Sequence, residues 1–110
     1  MMVQHDYSVK KGETFDRTLF FTSFDGTIID LTGRTAKCQI RENSDALEVI
    51  SEVECTIDPE AGSIKLLIPA EETALIPTGR YVYDLKTTDV SGITRYYIGG
   101  YFDVLPSVTK

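Results

Sequence analysis

Hydrophobic and polar positions alternate with a period of two along most of the chain, the rhythm of strands that are wet on one face. Val3, His5, Tyr7 and Val9 alternate with polar residues and predict a first strand, which Lys11-Gly12 ends. Residues 14–23 predict a second, with Phe15, Leu19 and Phe21 on one face and Arg17 interrupting it. Asp25-Gly26 predicts a hairpin, because Gly accepts positive φ at no steric cost. A short extended piece at 27–30 follows. Residues 34–42 set Ala36, Cys38 and Ile40 inward against Lys37, Gln39 and Arg41, which implies one solvated face. A strand over 47–57 turns Val53, Cys55 and Ile57 inward, and Ile64, Leu66 and Ile68 line the next, after a turn at Asp58-Pro59-Glu60-Ala61-Gly62.

Only residues 70–76 have helical character. Pro69 suits a helix start and Pro77 blocks extension, so one helical turn is expected. Period two resumes at Gly79. Tyr81, Tyr83 and Leu85 face one way, and Arg80, Val82, Asp84 and Lys86 the other. After a loop at 89–92, the last strand carries Tyr96, Ile98, Phe102 and Val104 on one face, with a bulge or bend expected at Gly99-Gly100. The sum is an all-β, immunoglobulin-like antiparallel β-sandwich of about seven strands, with one domain over residues 1–110.

The start of the penultimate strand sharpens that expectation. Immunoglobulin-like sandwiches place there a Tyr whose hydroxyl bonds back to nearby main chain. Gly79, Tyr81 and Tyr83 are the candidate structural corner, with Tyr83 where antibody domains keep a cysteine. An ordinary aromatic strand is the other reading. No Trp is present, and the two cysteines are wrongly placed for the antibody bridge.

Composition narrows the function classes. The 110 residues are 42% hydrophobic and 25% charged, ordinary for a globular domain. The formal net charge of −6, with Lys10-Lys11 the only adjacent basic pair, argues against nucleic-acid binding. No apolar run reaches membrane-spanning length, and the first residues do not read as a secretory leader. Cys38 and Cys55 are buried thiols or, alternatively, a cross-strand disulfide.

No catalytic, cofactor-binding or metal-binding set emerges. His5 is the only histidine and lies near the N-terminus, so no triad or Cys–His pair can be built without it. Phosphate-cradling and zinc motifs are missing. Asp25, Asp30, Asp58, Glu60 and Asp89 lie in predicted turns without calcium-loop spacing. A four-residue loop at 89–92 would place Val82 opposite Gly99, Asp84 opposite Tyr97 and Arg80 opposite Tyr101. The outward face of that ribbon would then carry Arg80, Val82, Tyr97 and Tyr101, the composition of a protein interface. High strand propensity of Tyr is the competing explanation.

Several ordered motifs also look like a known family. Lys11-Gly12-Glu13-Thr14-Phe15, Phe24-Asp25-Gly26 and Ile29-Asp30-Leu31-Thr32-Gly33 resemble the opening of immunoglobulin-like virion domains of tailed bacteriophages, similar to the N-terminal domain of phage baseplate upper proteins. Gly62-Ser63-Ile64, Ile68-Pro69-Ala70-Glu71-Glu72-Thr73, Gly79-Arg80-Tyr81-Val82-Tyr83-Asp84-Leu85, Gly99-Gly100-Tyr101-Phe102-Asp103-Val104 and Pro106-Ser107-Val108-Thr109-Lys110 extend the likeness. The resemblance implies a non-enzymatic virion structural protein of the tail, baseplate or fibre attachment, assembled in the bacterial cytoplasm. It would pack against other virion proteins and copies of itself in a symmetric assembly, with no small-molecule substrate, nucleic acid or membrane. These 110 residues are expected to hold one domain and not the stalk or receptor-binding module of the baseplate proteins. The alternative is a capsid-surface decoration or carbohydrate-binding domain.

Overall fold

In the computed structural model, residues 3–23 and 25–109 are described; Phe24 and Lys110 of the motifs above lie outside them. The alternating segments form eight strands: β1 (Val3–Gln4), β2 (Tyr7–Lys10), β3 (Phe15–Phe20), β4 (Thr35–Arg41), β5 (Ser51–Asp58), β6 (Ser63–Ile68), β7 (Gly79–Thr88) and β8 (Thr94–Leu105). One helical turn, α1 (Ala70–Thr73), sits between β6 and β7. The hydrogen-bonded order is β1-β8-β7-β4-β5-β6-β3, with β2 also on β8.

The sheet curls into a sandwich because β5 changes partners midway. Its first residues pair with β4 (Cys38↔Val53, Ile40↔Ser51) and the rest with β6 (Glu54↔Leu67 to Asp58↔Ser63). One layer is therefore β1/β2, β8, β7, β4 and the start of β5; the other is the end of β5, β6 and β3. Between them lie Tyr7, Val9, Phe15, Leu31, Cys38, Ile40, Val53, Ile64, Leu66, Ile68, Ile76, Tyr81, Tyr83, Leu85, Ile98, Phe102 and Val104, all buried. The Phe15 and Phe102 rings meet edge to face at 5.0 Å across the layers. That arrangement suits the aromatic quadrupole.

Four expectations are corrected. The sandwich is mixed, not wholly antiparallel, because β1 and β2 run parallel to β8 (Val3↔Ile98, Tyr7↔Phe102). The strand expected over Val3 to Val9 is split in two at His5-Asp6, while the total agrees with the about seven strands expected. The strand expected from residue 47 begins at Ser51, because Arg41 donates to the Ala46 and Leu47 carbonyls and holds that stretch as a loop. Finally, the irregularity in β8 is not at Gly99-Gly100: the register shifts between Leu85↔Ile98 and Lys86↔Tyr96, leaving Tyr97 as the extra residue.

Gly100 serves a different purpose. A Cβ there would lie 2.6 Å from the His5 carbonyl oxygen and 2.6 Å from Asp6 Oδ1. The missing side chain lets the joint between β1 and β2 pass over β8. Asp6 Oδ1 accepts the Tyr101 amide at 2.9 Å, and the His5 amide donates to the Gly99 carbonyl at 2.9 Å. Arg17, which breaks the apolar face of β3, has its guanidinium carbon 5.0 Å from the Phe15 ring centroid and 5.9 Å from that of Tyr7. It covers core aromatics while its charge reaches solvent.

Candidate functional site

The corner at the start of β7 closes as a hydrogen bond: Tyr81 donates its hydroxyl to the Pro77 carbonyl at 2.6 Å. The next inward tyrosine, Tyr83, donates to the His5 carbonyl and ties the N-terminal strands to the core. Burial pushes both phenols up. These tyrosines are fastenings of the fold.

The outer face of the first layer holds an open trough of about 640 Å³. Pairing across β4, β7 and β8 sorts its side chains into rows. One row is Lys37, Lys86 and Tyr96. The next is Gln39, Asp84 and Gly99, continued by Gln4 of β1. A third is Arg41, Val82 and Tyr101. Below it Arg80 faces Asp103.

Gly99 makes the notch. It lies between Tyr96 and Tyr101 on the outward side of β8, is itself buried, and offers no side chain, so the two rings flank a low point in the sheet surface. Tyr96 is 47% exposed and Tyr101 40%. Arg80 fixes the Tyr101 end: its guanidinium lies 4.3 Å from the ring centroid and donates to both oxygens of Asp103, at 2.9 and 3.1 Å. Those bonds hold the Asp103 carboxyl below its ordinary value.

The middle of the trough is less satisfied. Arg41 donates to Gln39 Oε1 at 2.8 Å, and Gln39 donates to Glu52 at 2.7 Å. Among the described residues Asp84 has neither hydrogen bond nor ion pair; burial pushes its carboxyl up, against the pull of Lys86 and Arg41. Lys37 and Lys86 stand directly opposite each other with no anion in contact among the described residues. Opposed like charges weaken a strand pair.

The expected interface is thus partly relocated. Arg80, Val82 and Tyr101 share the outward face, but Tyr97 does not. The loop after β7 has five residues, 89–93, because the Asp89 carboxylate collects the amides of Ser91 and Ile93. That shifts the register one step, and the bulge at Tyr97 shifts it another. Val82 consequently faces Tyr101, Asp84 faces Gly99, and Arg80 faces Asp103. Tyr97 turns toward the other layer, where its ring lies 5.0 Å from Phe21 and its hydroxyl accepts from Arg34 at 3.1 Å. Tyr96, expected inward, takes the outward place. Lys37, Arg41 and Lys86 were legible only as wet positions; their convergence needed the register.

Reactive groups are scattered. His5 is exposed at the N-terminal edge, its ring against Tyr7. Cys38 and Cys55 are free thiols on inward positions, and burial pushes Cys55 up to about 11 and Cys38 further. A raised thiol is a poor nucleophile near neutral pH. Among the described residues no group of three or more His, Cys, Asp or Glu is placed to hold a metal ion, and no helix is long and apolar enough to cross a membrane.

No protein-family model matches the chain, and no curated protein matches it. The fold is similar to that of CopC from Methylosinus trichosporium OB3b. The TM-score is 0.54, with 14% sequence identity over 96% of this chain and 88% of that one. At that identity the likeness shows the fold alone.

The finding corrects the resemblance to phage baseplate upper domains: the similar solved structure is CopC, a different protein from a phage virion domain, and nothing in the likeness points to a phage particle. The physical reason lies in the motifs that carried the resemblance. Gly12, Gly26 and Gly33 all take positive φ in turns, and Gly100 is fixed by a backbone crossing. Such residues are demanded by a sandwich of this kind, whatever its lineage.

Proposed function

We propose that this chain is a non-enzymatic packing module that docks a protein partner on the outer face of β4, β7 and β8. One observation carries the reading: Tyr96 and Tyr101 stand half exposed on either side of Gly99, which has no side chain, with Arg80 stacked on Tyr101 and opposed lysines at the other end. Tyr and Arg are the residues that dominate the energetics of protein interfaces. The held Arg80–Tyr101–Asp103 cluster loses little side-chain freedom on docking, which favours association. An acidic partner group would neutralise Lys37 and Lys86, and donors from a partner would satisfy Asp84. The non-enzymatic reading is supported by raised thiols, Cys38 buried and Cys55 half-buried, and by an exposed histidine far from them in sequence. The virion placement that the resemblance implied loses its support together with that resemblance.

The test is the double substitution Tyr96→Ser/Tyr101→Ser, introduced in the source cell. Wild-type protein should sediment with a high-mass assembly and the variant should remain slow. Its thermal midpoint should change little, since both rings are surface residues. Wild-type protein that sediments alone, or a variant that still co-sediments, would overturn the reading.

A further inference from the structure

A second groove, of about 560 Å³, lies at the corner where β5 changes layers and α1 packs beside it. Its rim carries Glu52, Glu54 and Glu72 and no cation, and Leu75 at its edge is 79% exposed. The trough is its opposite: Lys37, Arg41 and Lys86 line it against the single carboxylate of Asp84. A chain of net charge −6 has thus gathered cations around an aromatic notch and carboxylates around a protruding leucine. Neither the Lys37–Lys86 pair nor Glu54 and Glu72 has an ion-pair partner among the described residues.

From this complementarity we infer that the partner is a second copy of the chain, with the acidic corner around Leu75 of one molecule seated in the basic trough of the next. The inference rests on the docking reading and names its occupant. Leu75 would lie against Tyr96 and Tyr101, while Glu54 and Glu72 approach Lys37 and Lys86. Because two different patches meet, the contact is heterologous, and repetition closes a ring or extends a filament. Charge complementarity of this kind steers encounter and fixes register, and it weakens with salt.

Sedimentation velocity of the full chain tests it. Wild type should associate with rising concentration, and less so as salt is raised from about 50 mM to about 0.5 M. Lys37→Glu/Lys86→Glu should be monomeric, because both of its surfaces are then acidic. Glu54→Lys/Glu72→Lys should be monomeric for the converse reason. An equimolar mixture of the two should associate again. Leu75→Ser, with all charges intact, should weaken association by about tenfold or more. Circular dichroism checks that each variant keeps its strand content. Wild type that stays monomeric at every concentration, or a mixture that fails to associate, would overturn the inference. If it fails while Tyr96→Ser/Tyr101→Ser still leaves the source-cell assembly, the partner is a different protein and the docking reading stands. If both fail, the docking reading falls as well.

Discussion

Single residues in this protein are constrained by what passes over them as much as by what they bury. Gly100 illustrates this. Its neighbours are backbone and a short carboxylate, so an added methyl has nothing flexible to push aside. Gly100→Ala should lift the joint between β1 and β2, break the Asp6–Tyr101 bond and cost about 1–3 kcal/mol. Urea unfolding measures the cost, and hydrogen exchange at the Tyr101 amide should report the local opening. Unchanged stability and protection would show that β1 does not cross β8 there. The sequence flagged Gly99-Gly100 as unusual but assigned it a bulge. A glycine pair in a strand fits both a bulge and a close approach, and only the path of a segment about ninety residues earlier decides between them.

Elements are held by a few side-chain ties. The four residues of α1 are too few to form a helix on their own strength. Pro69 starts it without a side-chain cap. Thr73 anchors it: the side chain is fully buried, and its hydroxyl lies 2.8 Å from the Glu13 carbonyl and 3.0 Å from that of Ala70. Thr73→Val keeps the shape and removes the hydroxyl, leaving the Glu13 carbonyl without that donor. A loss of about 1–3 kcal/mol is expected. Proteolysis near α1 should quicken as well. Equal stability of the variant would remove Thr73 as the anchor. The helical turn was legible from Pro69 and Pro77, but its fastening to the loop before β3 was not. The ribbon of β7 and β8 shows the same limit. Alternation identified both strands, yet the face that Tyr96 and Tyr97 occupy depended on one extra loop residue and one bulge.

At the scale of the molecule, the N-terminal strands complete both an edge and the core. Tyr7 and Val9 are buried, Tyr7 packs on Phe15 and Tyr83, and the Tyr83 hydroxyl is satisfied by His5. Removing residues 3–10 takes away two buried side chains worth about 3–6 kcal/mol together. It also strands a buried hydroxyl and uncovers β8. Against a typical total of about 5–15 kcal/mol, that loss removes much of the stability, so the shortened chain should unfold at a far lower temperature than the full chain or aggregate. Circular dichroism against temperature decides this. A cooperative transition near that of the full chain would show that β1 and β2 are dispensable.

The amino-acid order alone determined the strand rhythm, the turns at Asp25-Gly26 and Asp58–Gly62, and the inward sets of β4 to β7, because each depends on neighbours close along the chain. The tertiary structure alone decided the parallel seating of β1 and β2, the partner change within β5, the outward turn of Tyr96 and inward turn of Tyr97, and the meeting of Lys37, Arg41, Lys86, Tyr96 and Tyr101 around Gly99. Those features depend on register between distant segments. A shift of one residue moves a side chain to the opposite face of a sheet, so a surface assembled from three strands cannot be assigned until every loop length and bulge is known.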